Sequence, residues 1–285
     1  MTIDYEKLLN WPVPEIVHTY TKRDTMLYAL GIGLGSDPLD TGQLRYVYEP
    51  ELVAMPSMAV IMGTPGFWIK DPETGIDWKR VVHGEQSIRI LEPLPVEASV
   101  VGKTKIEAIL DKGADKGAII YASRDITDRQ TGKLLATASM STFCRGDGGF
   151  GGPTGPSPKP HVLPEREPDT SCDLATVPQA ALLYRLNGDY NPLHADPEVA
   201  IAAGFDRPIL HGLCTFGIVA HAILRTCCDY DPRAVRTMDA RFSSPVFPGE
   251  TIRTEIWREA DEVSFRARVV ERDVVVLNNG RAELA

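Results

Sequence analysis

Between Pro208 and Cys228, apolar residues recur at helical spacing: Ile209, Leu213, Phe216, Val219, Ala220, Ile223 and Leu224, with Cys214, Ile218 and Ala222 on the flanks. A helix apolar on nearly every side belongs in a core. Downstream the period changes. Val263, Phe265, Ala267 and Val269 alternate with Ser264, Arg266 and Arg268, the two-residue rhythm of a half-buried strand, and predict one over Glu262 to Glu271. Thr251 to Glu259 and Val274 to Glu283 predict two more. The first half offers Ala98 to Leu110, Ala118 to Thr127 and Leu134 to Arg145, the last two joined across a turn at 128–132. Connections this short imply antiparallel hairpins. One buried helix followed by such strands predicts a sheet wrapped around a central helix.

The pattern occurs twice. Residues 148–168 are dense in Gly and Pro and carry no period, which reads as a linker. It separates a unit at 1–147 from one at 169–285. An offset of 156 sets Leu27-Tyr28-Ala29-Leu30 on Leu183-Tyr184-Arg185-Leu186 and Ala54-Met55-Pro56 on Leu210-His211-Gly212. Pro93-Leu94-Pro95 likewise resembles Pro245-Val246-Phe247-Pro248. Duplication with divergence follows. In the first copy Gly63, Pro65 and Gly66 make the central helix short or irregular.

At 285 residues the chain can bury two full cores. A formal charge of −9 argues against nonspecific nucleic-acid binding, which needs a basic field. No apolar run reaches the roughly 20 residues that span a bilayer, and the N-terminus lacks signal-peptide character. We expect a cytoplasmic protein without membrane association. Five cysteines with no CxxC suggest neither a disulfide framework nor a zinc site.

The segment Asn187-Gly188-Asp189-Tyr190-Asn191-Pro192-Leu193-His194 carries the chemistry. Five positions apart on a helix, Asp189 and His194 would point about 140° away from each other, so meeting requires a loop. Pro192 supports one. Helix resumes with Asp196 as N-cap and Pro197 at its first turn, and Gly204 stops it. Addition of water to an enoyl thioester needs a base for water, an acid for the α-carbon and donors for the enolate oxygen. A His and a carboxyl group can share the first two tasks, and Asn191 can orient them. Gly212, at the start of the apolar helix, can offer its N–H to the oxygen.

These residues, Asn-Gly-Asp-Tyr-Asn-Pro-Leu-His and Pro-Ile-Leu-His-Gly-Leu-Cys, resemble the MaoC-like hydratases, in particular the 2-enoyl-CoA hydratase 2 group. His83-Gly84-Glu85-Gln86, Leu110-Asp111-Lys112-Gly113 and Gly148-Gly149-Phe150-Gly151-Gly152 extend the likeness over most of the chain. The resemblance implies an α+β double hot-dog, two antiparallel sheets each wrapped around a central helix. It implies reversible syn hydration of trans-2-enoyl-CoA to (3R)-3-hydroxyacyl-CoA, with no cofactor or metal, in a homodimer. Carried over by position, Asp189 and His194 are the catalytic pair, Asn191 supports them and Gly212 is the oxyanion donor. His83, Gly84, Lys112, Asn187 and Phe242 contact the CoA ester. The first copy has Gly33, Gly35 and Pro38 where the second has Asp189, Asn191 and His194, so one active site per chain is expected.

Other readings compete. His211 could join the site but, at a helix start, reads more as structural; His18, His161 and His221 show no partner pattern and read as structural or solvent-facing. Gly31-Ile32-Gly33-Leu34-Gly35 lacks the strand-to-helix context of a nucleotide loop, and the glycines at 148–152 lack the Lys-Ser/Thr of a P-loop. A hot-dog thioesterase could aim the same pair at the thioester carbonyl, and a non-catalytic acyl-CoA-binding subunit is the third possibility.

Overall fold

The computed structural model describes residues 2–285. Its strands are β1 (Ile16–Tyr20), β2 (Val81–Ile90), β3 (Ala98–Asp111), β4 (Ala118–Asp128), β5 (Leu134–Cys144), β6 (Thr170–Ala175), β7 (Val235–Phe242), β8 (Thr251–Glu259), β9 (Glu262–Val269) and β10 (Val274–Leu284). The helices are α1 (Tyr5–Leu9), α2 (Lys22–Gly31), α3 (Thr41–Leu44), α4 (Ala180–Tyr184), α5 (Pro197–Ala202) and α6 (Gly212–Cys227), with several single 3-10 turns. The six strands foreseen in the sequence appear within one or two residues of their expected bounds.

The two expected sheets are joined edge to edge. All ten strands form one antiparallel sheet in the order β1-β3-β4-β5-β2-β7-β10-β9-β8-β6. The seam is β2 against β7, with Glu85 opposite Arg241, Ser87 opposite Asp239 and Arg89 opposite Thr237. Left apart, these two strands would each expose a row of unpaired backbone donors and acceptors, and pairing removes both edges. Neither strand was foreseen, because β2 is interrupted by His83-Gly84 and β7 mixes charge into its alternation.

Helix α6 packs against β6, β7 and β8 and is buried without a break from Cys214 to Leu224. Its counterpart in the first half is a 3-10 turn, Pro56–Val60, every residue of which is buried. The central helix of that half is thus short, as expected. A buried arginine on β4 closes it, with Arg124 Nη2 donating to the Val60 carbonyl at 2.7 Å. The two starts have the same shape: Met55 caps its turn at φ −67°, ψ 131° and His211 caps α6 at φ −60°, ψ 135°. Tyr28 and Tyr184, matched by the internal alignment, are both fully buried with ring centroids 6.0 Å apart.

Candidate active site

The segment after α4 is not a featureless loop. A 3-10 turn at Arg185–Asn187 and another at Pro192–His194 tighten it. Between them the Asp189 carboxylate accepts the Asn191 N–H at 3.2 Å, and Asn191 Oδ1 accepts the Leu193 N–H at 3.2 Å. These short side-chain-to-backbone bonds fold the chain back on itself. Asp196 then caps α5, accepting from Glu198 and Val199.

This curl brings Asp189 and His194 together, and His211 with them. One ligand-type atom of each residue lies within 4.8 Å of the others. His194 is buried, while Asp189 is only partly covered. His194 Nδ1–H donates to the Ile209 carbonyl at 2.9 Å, which leaves Nε2 as the ring's free lone pair. Burial pushes His194 below the usual imidazole range, against the opposing pull of the Ile209 carbonyl and Asp189. The ring is therefore neutral near pH 7 and able to accept a proton.

His211 packs face to face with His194, ring centroids 3.7 Å apart and planes 26° apart. With Asp189 the two rings form a cluster in which His194 Nε2 is free to take a proton.

Helix α6 begins beside this cluster. Gly212 is its first residue, and its N–H has no acceptor among the described residues. Opposite stands Phe242 at the end of β7, whose ring approaches that of His83 with centroids 4.6 Å apart. His83 reaches this place because β2 bulges: His83 pairs with Thr142 and Glu85 with Ser141, so Gly84 is the extra residue. A Cβ there would stand 2.7 Å from Ser141 Oγ. His83 Nε2–H donates to the Glu85 carbonyl at 3.0 Å, and burial holds its pKa below the usual range, opposed in part by Asp189. His83, Gly84, Gly212 and Phe242 thus form one wall near the cluster.

Lys112 and Asn187 make other contacts. Lys112 lines a cleft of about 940 Å³ with Arg80, Lys116 and Arg145. Arg80 precedes β2, three residues before His83 in the chain. Asn187 Nδ2 donates to the Tyr184 carbonyl at 3.0 Å and closes the end of α4.

Two residues add to the sequence reading. His211, which the sequence places at a helix start and only secondarily in the site, stacks on His194 within the cluster. Asp111 accepts N–H groups from Gly113, Gly149 and Gly151 at 2.7–2.8 Å, anchoring the glycine loop beside Lys112. Burial works against its charge, but these donors prevail and hold its carboxyl below the ordinary range.

Comparison with known proteins agrees with this architecture. Residues 18–146 match the MFE-2 hydratase 2 N-terminal domain and residues 160–280 the MaoC like domain. The chain is 40% identical over 286 residues to the peroxisomal enoyl-CoA hydratase 2 of Arabidopsis thaliana, covering 95% of this chain and 92% of that one. The crystal structure of a MaoC-like dehydratase from Phytophthora capsici superposes with a TM-score of 0.86 at 36% identity, covering 98% of each chain. A Mycobacterium tuberculosis protein described as a double hotdog fold shares the fold at a TM-score of 0.56 and 15% identity, covering 99% and 98% of the two chains. With the sheet, the central helix and the loop all in place, the chain belongs to the MaoC-like enoyl-CoA hydratase 2 family.

Proposed function

We propose that this protein catalyses the reversible syn hydration of trans-2-enoyl-CoA to (3R)-3-hydroxyacyl-CoA, with Asp189 and His194 handling the water and Gly212 the thioester oxygen. The observation that carries the reading is the meeting of a carboxyl group and an unprotonated imidazole nitrogen beside the free N–H of a buried helix. Family membership supports the reaction class.

In the hydration direction His194 Nε2 accepts a proton from water as the water oxygen bonds to the β-carbon. Electrons of the carbon–carbon double bond move to the thioester, and the oxygen that gains charge is held by the Gly212 N–H, favoured further by the helix dipole. The imidazolium then delivers its proton to the α-carbon on the same face, which returns the neutral ring. Asp189 accepts the water's second hydrogen bond and stabilises the transient imidazolium. Asn191 keeps Asp189 in place through its main-chain N–H.

The thioester lies against His83, Gly84 and Phe242, and the phosphates of CoA extend toward Lys112 and Arg80. We read 1–147 as a degenerate copy that accommodates the acyl chain, 148–168 as a linker and 169–285 as the catalytic copy. In the first copy Pro56 stands where Gly212 stands in the second. Proline has no N–H, so no equivalent donor exists there and each chain has one active site. No cofactor enters this chemistry. A homodimer in the cytoplasm completes the reading. Among the described residues no helix is long and apolar enough to cross a membrane.

The test is incubation with crotonyl-CoA. Loss of the conjugated enoyl absorbance with (3R) product is expected, and release of free thiol would instead indicate a thioesterase. Asp189→Asn and His194→Gln should each lower hydration by several orders of magnitude with the fold intact. Full activity in both would defeat the assignment.

A further inference from the structure

His211 holds a position that the reaction as written does not use. Its side chain is almost wholly buried, at 1% exposure, in a site whose other members do chemistry. Several separate contacts converge on it. Its ring lies flat on His194 at 3.7 Å between centroids. Its Nε2–H donates to the main-chain carbonyl of Asp189 at 3.2 Å. Its own carbonyl accepts the N–H groups of Cys214 and Thr215, which starts α6 one residue before the Gly212 donor. Tyr184 backs the ring from the far side, centroids 5.1 Å apart.

We infer that His211 is a positioning residue for the hydration, acting through His194 and Asp189. The inference rests on the proposed function. A catalytic ring with only one hydrogen bond, Nδ1–H to Ile209, can still swing about that bond. A flat neighbour at van der Waals distance removes that freedom. The bond to the Asp189 carbonyl fixes the backbone from which the carboxyl group projects. One rigid imidazole thus sets the separation of the two reacting groups and ties both to the helix that carries the oxyanion donor. Displacements near 1 Å in such constellations cost about a hundredfold in rate. The ring also has reason to stay neutral: Nδ1 is buried without a partner among the described residues, and a second cation stacked on a protonated His194 would be repelled.

Three variants separate the two contacts. His211→Phe keeps a flat face and loses the donor, His211→Gln keeps a donor and loses the face, and His211→Ala loses both. We expect kcat to fall about a hundredfold in the alanine variant and by less in each of the others, with KM for crotonyl-CoA nearly unchanged. The acid limb of the kcat profile should move up in His211→Ala, since water entering the vacated space relieves the burial that lowers His194. A His211 that served only stability would lower Tm and leave kcat per folded molecule and the acid limb untouched, and that result overturns the inference. Should none of the variants fold, proton NMR of the wild type decides. The Cε1–H of His194, identified by its loss in His194→Gln, should be shifted upfield by the stacked ring, and an unshifted resonance overturns the inference. If Asp189→Asn and His194→Gln retain hydration, the functional reading itself has failed. If those variants are inactive and the His211 variants are not, only the present inference falls.

Discussion

Phe242 closes over Gly212: a Cβ on the glycine would stand 3.0 Å from Phe242 Cε1 and 3.3 Å from its Cδ1. The pair links the end of the seam strand β7 to the first amide of α6, so the position of the amide proposed to hold the thioester oxygen is set by a contact between strand and helix. Gly212→Ala should therefore push the helix start away from Phe242. We expect kcat to fall by about 10²–10³, the usual cost of losing one oxyanion donor, with little change in thermal stability. Adding Phe242→Ala should restore part of the loss, because the contact that displaces the amide is then gone. Steady-state kinetics on the single and double variants checks this.

Lys112 and Arg80 line a cleft apart from the reacting groups. Their charges should serve substrate capture, so Lys112→Ala and Arg80→Ala are each expected to raise KM for crotonyl-CoA several-fold with kcat nearly constant. The effect should shrink at high salt, as exposed charge interactions do. It should vanish with crotonyl-pantetheine, which carries no phosphate. An equal rise for both substrates would show that the cleft does not hold the phosphates.

Acid should weaken both the fold and the reaction. His211 and His221 are buried, and burial is the first cause that takes each down to about 4 from an ordinary value of 6.5. Between those values the unfolded chain binds protons that the folded chain does not. Stability is then complete above about pH 6.5 and falls as pH drops toward 4. At full shift each ring accounts for about 3 kcal/mol. Urea unfolding across this range should show a shallower slope in His221→Asn than in the wild type. His194 is shifted in the same direction, so kcat/KM should decline only below pH 6.5, when the ring begins to hold a proton in the free enzyme.

Arg124 is a buried cation with no carboxylate within ion-pair reach among the described residues, and burial lowers its pKa to about 10. Its worth lies in the carbonyl of Val60, at the end of the short central turn of the first half. Arg124→Leu leaves that acceptor without its donor, and a loss of about 2 kcal/mol is expected. The gain from no longer burying a charge works the other way. Calorimetry decides between them, with a Tm lowered by several degrees as the expected outcome.

Several features were legible in the order of residues alone. Alternation of Val263, Phe265, Ala267 and Val269 disclosed β9, and the near-continuous apolar content of 213–224 disclosed a buried helix, because side-chain period follows directly from backbone geometry. Pro56 opposite Gly212 could be read in the same way, since a missing N–H needs no coordinates to notice. The curl of 187–194 was foreseen from Pro192 and the angle between Asp189 and His194.

Other features depend on contacts between distant positions. That β2 and β7 fuse two half-sheets into one is a matter of which edges meet, and nothing local to Val81–Ile90 or Val235–Phe242 encodes a partner about 150 residues away. His211 could be read either as a helix-start residue or as a member of the site, because the ring it stacks on is 17 positions earlier in the chain and comes to 3.7 Å only when the chain folds. Sequence therefore determined the chemical groups and the periods of the elements, through covalent geometry and the aversion of apolar side chains to water. Tertiary structure alone decided which groups touch, because packing and edge pairing are settled by surfaces that form only after the chain has folded.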